Sequence, residues 1–209
     1  MNMITFFGPN AKHLQASGKF TGDIGKMNND RFPSGESYCQ IKDNIRGRDV
    51  FVVQSISNPA NDSLMDLLVF GDAARRASAG RLTAVLPNMG YMRQDRKDKP
   101  RVPISAKLIV DMIECAGFDR IITMDVHTLQ AQGFTNIPFD HLFAFPLIAK
   151  HFAETIKTAP DSLVVATPDI GGVKRAMAYA EAFKTDFAVV NKKRLSHSKV
   201  KAVSVIGDV

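Results

Sequence analysis

The chain has no tryptophan, only three tyrosines and only two cysteines among 209 residues. Cys39 and Cys115 are too few for a disulfide framework, and there is no Cys-x-x-Cys pair with zinc spacing. Two free thiols in a reducing compartment is the simpler reading. No apolar run approaches the roughly 20 residues needed to cross a bilayer. The start, MNMITFF, has no basic region ahead of its short apolar stretch, so no signal peptide is expected. These absences predict a cytoplasmic protein without a membrane partner. A Walker loop, a Gly-x-Gly-x-x-Gly fingerprint and a Gly-x-Ser-x-Gly elbow are all missing as well. Standard phosphate-loop enzymes, dinucleotide-binding dehydrogenases and serine hydrolases of the elbow type are therefore disfavoured.

What is present is ordinary for a folded domain, with 45% hydrophobic and 23% charged residues and no low-complexity stretch. The net charge of +6 favours anionic partners such as nucleotides, sugar phosphates or nucleic acid, and by itself does not separate them. The cations gather in two places, 93–101 and 192–201. Local clusters point to sites better than an evenly basic surface would.

Short apolar runs recur at 4–7, 50–54, 82–86, 121–124, 163–166, 187–190 and 203–206, several rich in Val and Ile, which predicts buried strands. Helical spacing fills the gaps. Leu64, Leu67, Leu68 and Gly71 share one face of a helix that Asn61 or Asp62 could cap. Ser105 could cap a second helix, with Leu108, Ile109, Met112, Ile113 and Ala116 inward and Gly117 as its stop. Pro146 suits the first turn of a third, with Leu147, Ile148, Phe152 and Ile156 inward, and 173–183 reads as a fourth. Alternating strands and helices argue for an α/β fold of parallel sheets flanked by helices. Segment 28–45 breaks the alternation and reads as a protruding β-hairpin. A boundary near 140–145 divides the chain into domains 1–143 and 144–209.

In open parallel sheets ligands bind at the carboxyl ends of the strands, so polar residues there are the first candidates. One predicted strand runs into Asp125-Val126-His127 and another into Thr167-Pro168-Asp169-Ile170-Gly171-Gly172. Carboxylates suit magnesium, supplemented by waters and substrate phosphates. Either aspartate serves equally as a helix cap, and His127, untypical for magnesium, serves equally as a hydrogen-bonding neighbour that shapes a pocket. Lys174 and Arg175 open the helix after the glycine pair, where cations oppose the macrodipole unless an anion binds among them. The segment Tyr91 to Arg101 carries five cations and two carboxylates. It reads as a solvated loop or a nucleic-acid contact. It also lies beyond a strand end, where an ATP triphosphate needs countercharge that arginine can supply.

Seven segments in order, RFPSGE (31–36), VFVVQS (50–55), YMRQDRKDKPRVPISAK (91–107), ITMDVHTLQAQGF (122–134), PFDHL (138–142), TPDIGGVKRA (167–176) and VVNKKR (189–194), resemble the ribose-phosphate diphosphokinase family. The resemblance implies two tandem phosphoribosyltransferase-like α/β domains. It also implies magnesium-dependent transfer of the diphosphoryl group of ATP to O1 of ribose 5-phosphate, with release of AMP. ATP and ribose 5-phosphate would be the partners, in a homohexamer built from dimers, with no nucleic acid. Carried over by position, Phe32 stacks on adenine while Ser34, Gly35 and Glu36 complete the grip, from a hairpin of a neighbouring subunit. Arg93, Gln94 and Asp98 lie along the ATP, with Arg93 on the phosphates. Asp125, His127 and Asp169 surround magnesium and the ribose. Lys192 and Arg194 are the catalytic pair on a flexible flap, Arg194 with Asp169 also binding substrate.

The resemblance has departures. Ser34 stands where Asp or Asn is usual, Thr135 where a second Phe is common, and Val126 where Leu or Met is usual. The family continues beyond the final Ile-Gly-Asp-Val with an acidic, Thr-rich loop that holds the 5-phosphate. The expectation is therefore an incomplete second domain, with ATP binding retained and turnover impaired. The alternative from another class is a non-catalytic regulatory homologue that binds ATP and associates with active subunits.

Overall fold

Val and Ile dominate the runs that become the central strands, and the burial of those strands on both faces explains why. A computed structural model describes residues 2–155, 162–194 and 200–207, with backbone alone for 191–194 and 200–203. In chain order the elements are β1 (Met3–Phe7), α1 (Lys12–Ala16), β2 (Met27–Arg31), β3 (Ser37–Ile41), β4 (Asp49–Val53), α2 (Ala60–Arg76), β5 (Arg81–Leu86), α3 (Ser105–Cys115), β6 (Arg120–Met124) and β7 (Phe139–Leu142), then α4 (Phe145–Thr155), β8 (Val164–Thr167), α5 (Val173–Phe183), β9 (Asp186–Arg194) and β10 (Val200–Ile206). They fall into two compact units, Met1–Phe143 and Ala144–Val209.

The first unit is built on a five-stranded, all-parallel sheet in the order β1-β4-β5-β6-β7. Ile4, Phe6, Val50, Val52, Leu82, Ala84 and Ile121 carry its buried core, and α2 and α3 bring Leu67, Phe70, Ile109 and Ile113 to it. Phe70 meets Phe6 with ring centroids 5.2 Å apart. Segment 28–45 forms its own two-stranded antiparallel sheet from β2 and β3, and Met27, Cys39 and Ile41 pack against the core.

Several local expectations are corrected. The residue at the amino end of α2 is Pro59, with no side-chain cap, and Asn61 instead accepts a hydrogen bond from the Tyr91 hydroxyl. Ile104 starts α3 without a side-chain cap, and the Ser105 hydroxyl bonds Gln94 Oε1 at 2.6 Å. Competing partners in the 91–104 loop took both polar side chains away from the helix amides. Leu108 is 56% exposed rather than inward, because the buried stripe of α3 is Ala106, Ile109, Val110 and Ile113. Gly117 does end the helix, with φ +97°. Strand β7 was unforeseen. Its Phe-Asp-His-Leu sequence has neither β-branched residues nor full burial, and only pairing with β6 makes it a strand.

In the second unit β8 pairs parallel with β9, and β9 pairs antiparallel with β10. Helices α4 and α5 meet through aromatic rings, Phe145 with Tyr179 at 4.7 Å and Phe152 with Phe183 at 6.2 Å. Leu147, Ile148 and Phe152, expected inward, are all exposed. Helical spacing says which residues share a face, whereas burial needs something to cover that face. Ile156 lies outside the described residues.

Candidate functional site

The loops that could hold a ligand in the first unit are the hairpin tip between β2 and β3, the segment after β5 and the segment after β6. At the tip, Phe32 N–H donates to Glu36 O at 2.9 Å and Gly35 N–H to Phe32 O at 2.8 Å. Pro33 and Gly35 take the second and fourth places of this turn, and Gly35 adopts φ +89°, which a side chain would resist. The Ser34 hydroxyl donates to Glu36 Oε2. The Phe32 ring stands edge-on to Tyr38 at 5.5 Å and remains 50% exposed. An aromatic ring held by its edge with much of its surface in solvent is shaped to stack on a flat partner.

Below the tip, Arg31 is fixed to Asp66 of α2 by two hydrogen bonds, Nη1 to Oδ1 at 2.5 Å and Nη2 to Oδ2 at 3.1 Å. The hydrogen bond to Asp66 is the main cause that raises the Arg31 pKa above its ordinary value. Burial, and secondarily the Asp66 charge, pushes the nearby Cys39 thiol up to about 11. No sequence motif flagged Asp66, since its partners lie on a different element far along the chain.

Beyond β5 the chain is anchored by buried Met89 and Met92 and then runs exposed. Tyr91 and Arg101 bracket it, both in the left-handed region at φ +65° and +62°. Each costs an L-residue roughly 1–2 kcal/mol. Arg93, Gln94 and Asp98 lie on this segment and are exposed, with Gln94 tied at its carbonyl to Ala106 N–H, 3.1 Å. Among the described residues Arg93, Arg96, Lys97, Lys99 and Arg101 enter no ion pair, although several arginines elsewhere do. With Asp95 and Asp98 in the same stretch, its net charge remains positive, which favours anions nearby.

After β6, Asp125 is exposed and also left-handed, with φ +44°, and its N–H donates to Leu142 O at 2.9 Å. Val126 N–H donates to His141 Nε2 at 3.1 Å, so β7 fixes the backbone that carries Asp125 and His127. His127 itself is exposed. Backbone strain held in place by neighbours is a mark of functional loops.

In the second unit Asp169 caps the turn that opens α5, its Oδ1 accepting from Gly172 N–H at 3.2 Å. Both readings of this carboxylate thus stay chemically available, because one oxygen caps and the other is not committed. Lys174 and Arg175 are exposed in the first turn of α5. Lys192 and Arg194 lie in strand β9, opposite Ala202 and Val200. Their side chains lie outside the described residues. Among the described residues no three His, Cys, Asp or Glu side chains gather into a cation cage.

The first unit is an open parallel α/β sheet, a class of fold that binds its ligands outside the carboxyl ends of the strands, and here those loops carry cations and exposed carboxylates. Residues 11–117 match the family model of the N-terminal domain of ribose phosphate pyrophosphokinase. The ribose-phosphate pyrophosphokinase of Clostridium acetobutylicum is 47% identical over 186 residues, covering 89% of this chain and 58% of the relative. That of Granulibacter bethesdensis is 50% identical over 179 residues, 86% of this chain and 57% of the relative. The crystal structure of phosphoribosylpyrophosphate synthetase from Mycobacterium smegmatis superposes with a TM-score of 0.84 at 35% identity, covering 100% of this chain and 68% of that one. The chain belongs to the ribose-phosphate pyrophosphokinase family. It spans less than two thirds of the length of the curated relatives it matches.

Proposed function

We propose that this chain is the ATP-handling part of a ribose-phosphate diphosphokinase, which transfers the diphosphoryl group of ATP to O1 of ribose 5-phosphate and releases AMP. The observation that carries the reading is the unneutralised basic segment 93–101 beyond β5, in a chain of this family. Phe32 would stack on adenine, with Ser34, Gly35 and Glu36 reading its edge. Arg93 would bind phosphate oxygens with Gln94 and Asp98 alongside. Asp125, His127 and Asp169 are the proposed ligands around magnesium and the ribose. Exposed carboxylates with uncommitted oxygens fit a cation that keeps waters and phosphates in its shell. When bound, magnesium would neutralise the phosphate charge that otherwise repels the incoming hydroxyl. Lys192 and Arg194 would stabilise charge developing on the transferring group. The chemistry asks for placement and countercharge rather than a covalent intermediate, and these residue types supply both.

We further propose that residues 1–143 are a phosphoribosyltransferase-like domain and 144–209 the opening part of a second, in a homo-oligomer where one copy's hairpin tip serves its neighbour. The remaining length of the relatives has no counterpart in these 209 residues. It would bring the ribose 5-phosphate end of the site, so this stretch alone binds ATP with little turnover. The test is AMP formation from Mg-ATP with and without ribose 5-phosphate, paired with ATP binding. Arg93→Ala is expected to weaken ATP at least about tenfold, as loss of a charge-assisted phosphate contact does. Unchanged ATP affinity in Arg93→Ala would remove the basic segment from the site. Intact ATP binding with no ribose-dependent AMP, even from a polypeptide of the relatives' full length, would assign a regulatory homologue instead.

A further inference from the structure

Asp66 is the most deeply buried carboxylate of the first unit, 4% exposed on α2 one turn before buried Phe70 and next to buried Leu67. A carboxylate among apolar neighbours needs full compensation, and a hydrophobic residue would be the cheaper occupant. Among the described residues its hydrogen bonds come from two. Arg31 binds both oxygens, and the Ser37 hydroxyl donates to Oδ1 at 2.8 Å. Those two residues face each other as the last paired rung of the β2–β3 ladder. Everything between them, 32–36, is the tip.

We propose that Asp66 is a positioning residue that sets the shape of the hairpin tip for a nucleotide base, by gripping both sides of the rung from which the tip springs. The proposal rests on the reading that the tip binds adenine. A two-stranded ribbon is marginal by itself, and its free end frays first. Here the inner residues Met27, Cys39 and Ile41 fasten the far end to the core, while the tip residues are exposed, with Phe32 edge-on to Tyr38 and Ser34 bonded to Glu36. Between these lies the Asp66 clamp, a bidentate guanidinium contact that fixes orientation as well as distance. Splaying of Arg31 from Ser37 would pull Phe32 away from Glu36, and the base would lose its stacking ring and its edge contacts together.

The experiment measures affinity of the full 209-residue chain for ATP and for inorganic tripolyphosphate, which carries phosphate charge but no base, with thermal melting alongside. Asp66→Asn and Arg31→Met should each weaken ATP about tenfold and leave tripolyphosphate unchanged, since hydrogen bonds to charged groups are worth about that much. The double variant should lose no more than the worse single one, and Asp66→Glu should recover part of the loss. If Asp66→Asn does not fold, Ser37→Ala, which deletes one bond of the clamp, should show the same selective loss at roughly two- to threefold. Equal losses for ATP and tripolyphosphate would mean that Asp66 merely supports the fold, and no loss for either would also overturn the proposal. Phe32→Ala separates the two ideas. Unchanged ATP affinity there removes the adenine reading itself, whereas a loss in Phe32→Ala with none in Asp66→Asn removes only the clamp.

Discussion

Cys39 and Cys115 differ only in what surrounds the sulfur. Cys115 ends α3 in solvent, while Cys39 packs on the inner face of β3 beside Asp66. Burial there disfavours the thiolate, so the Cys39 thiol is raised from 9.0 to about 11. At pH 8 a thiol reagent is expected to modify Cys115 at once and Cys39 only after unfolding, which peptide mapping would check. The stability consequence has a definite sign. An unfolded chain ionises this thiol above pH 9.0, whereas the folded one holds the proton until about 11. The contribution is whole below pH 9.0 and lost as pH rises toward 11, so denaturation midpoints of the parent should fall across that window more steeply than those of Cys39→Ala. At this scale the sequence named candidate site residues, Phe32, Glu36, Arg93 and Asp125 among them, because the family resemblance marks them. It did not show Asp66, whose role exists only where Arg31, Ser37 and α2 meet.

Elements were legible where one periodicity governed them. Helix α5 falls on 173–183 as its spacing predicts, and the three central parallel strands, β4, β5 and β6, fall on predicted apolar runs. Caps and edges were not, because both are contests between partners. Asn61 and Ser105 were drawn to the loop after β5, and β7 exists by pairing with β6. Gly71 shows an element constraint with a measurable size. A methyl group there would sit 2.7 Å from the Phe118 ring and 2.8 Å from the Ala116 carbonyl oxygen. Alanine would gain up to about 1 kcal/mol of helix propensity. Overpacking against a backbone atom costs about 1–3 kcal/mol, so the net effect should be destabilising. Chemical denaturation of Gly71→Ala would check the sign, and a stabilised protein would show that α2 and α3 can move apart freely.

For the molecule as a whole, the main buried cluster draws its residues from Ile4 to Ala131, all within the first unit. A polypeptide of residues 1–143 is therefore expected to fold and unfold in one cooperative transition. Phe70→Ala, which empties a site against Phe6, should lower its stability by about 3–5 kcal/mol. A gradual, non-cooperative melt of the 1–143 polypeptide would show that this core depends on the rest of the chain. In the second unit Leu147, Ile148 and Phe152 remain exposed despite correct helical spacing. By itself the sequence determined the α/β class, the family, the order of the parallel strands' apolar runs and the candidate site residues. Each of these follows from local patterns of hydrophobicity and motif spacing. Only the tertiary structure decided which carboxylate clamps the hairpin, which polar side chains leave their helix ends, and that β7 pairs while β9 and β10 run antiparallel. Those outcomes depend on which groups distant in sequence arrive within hydrogen-bonding reach, and no local pattern encodes that competition.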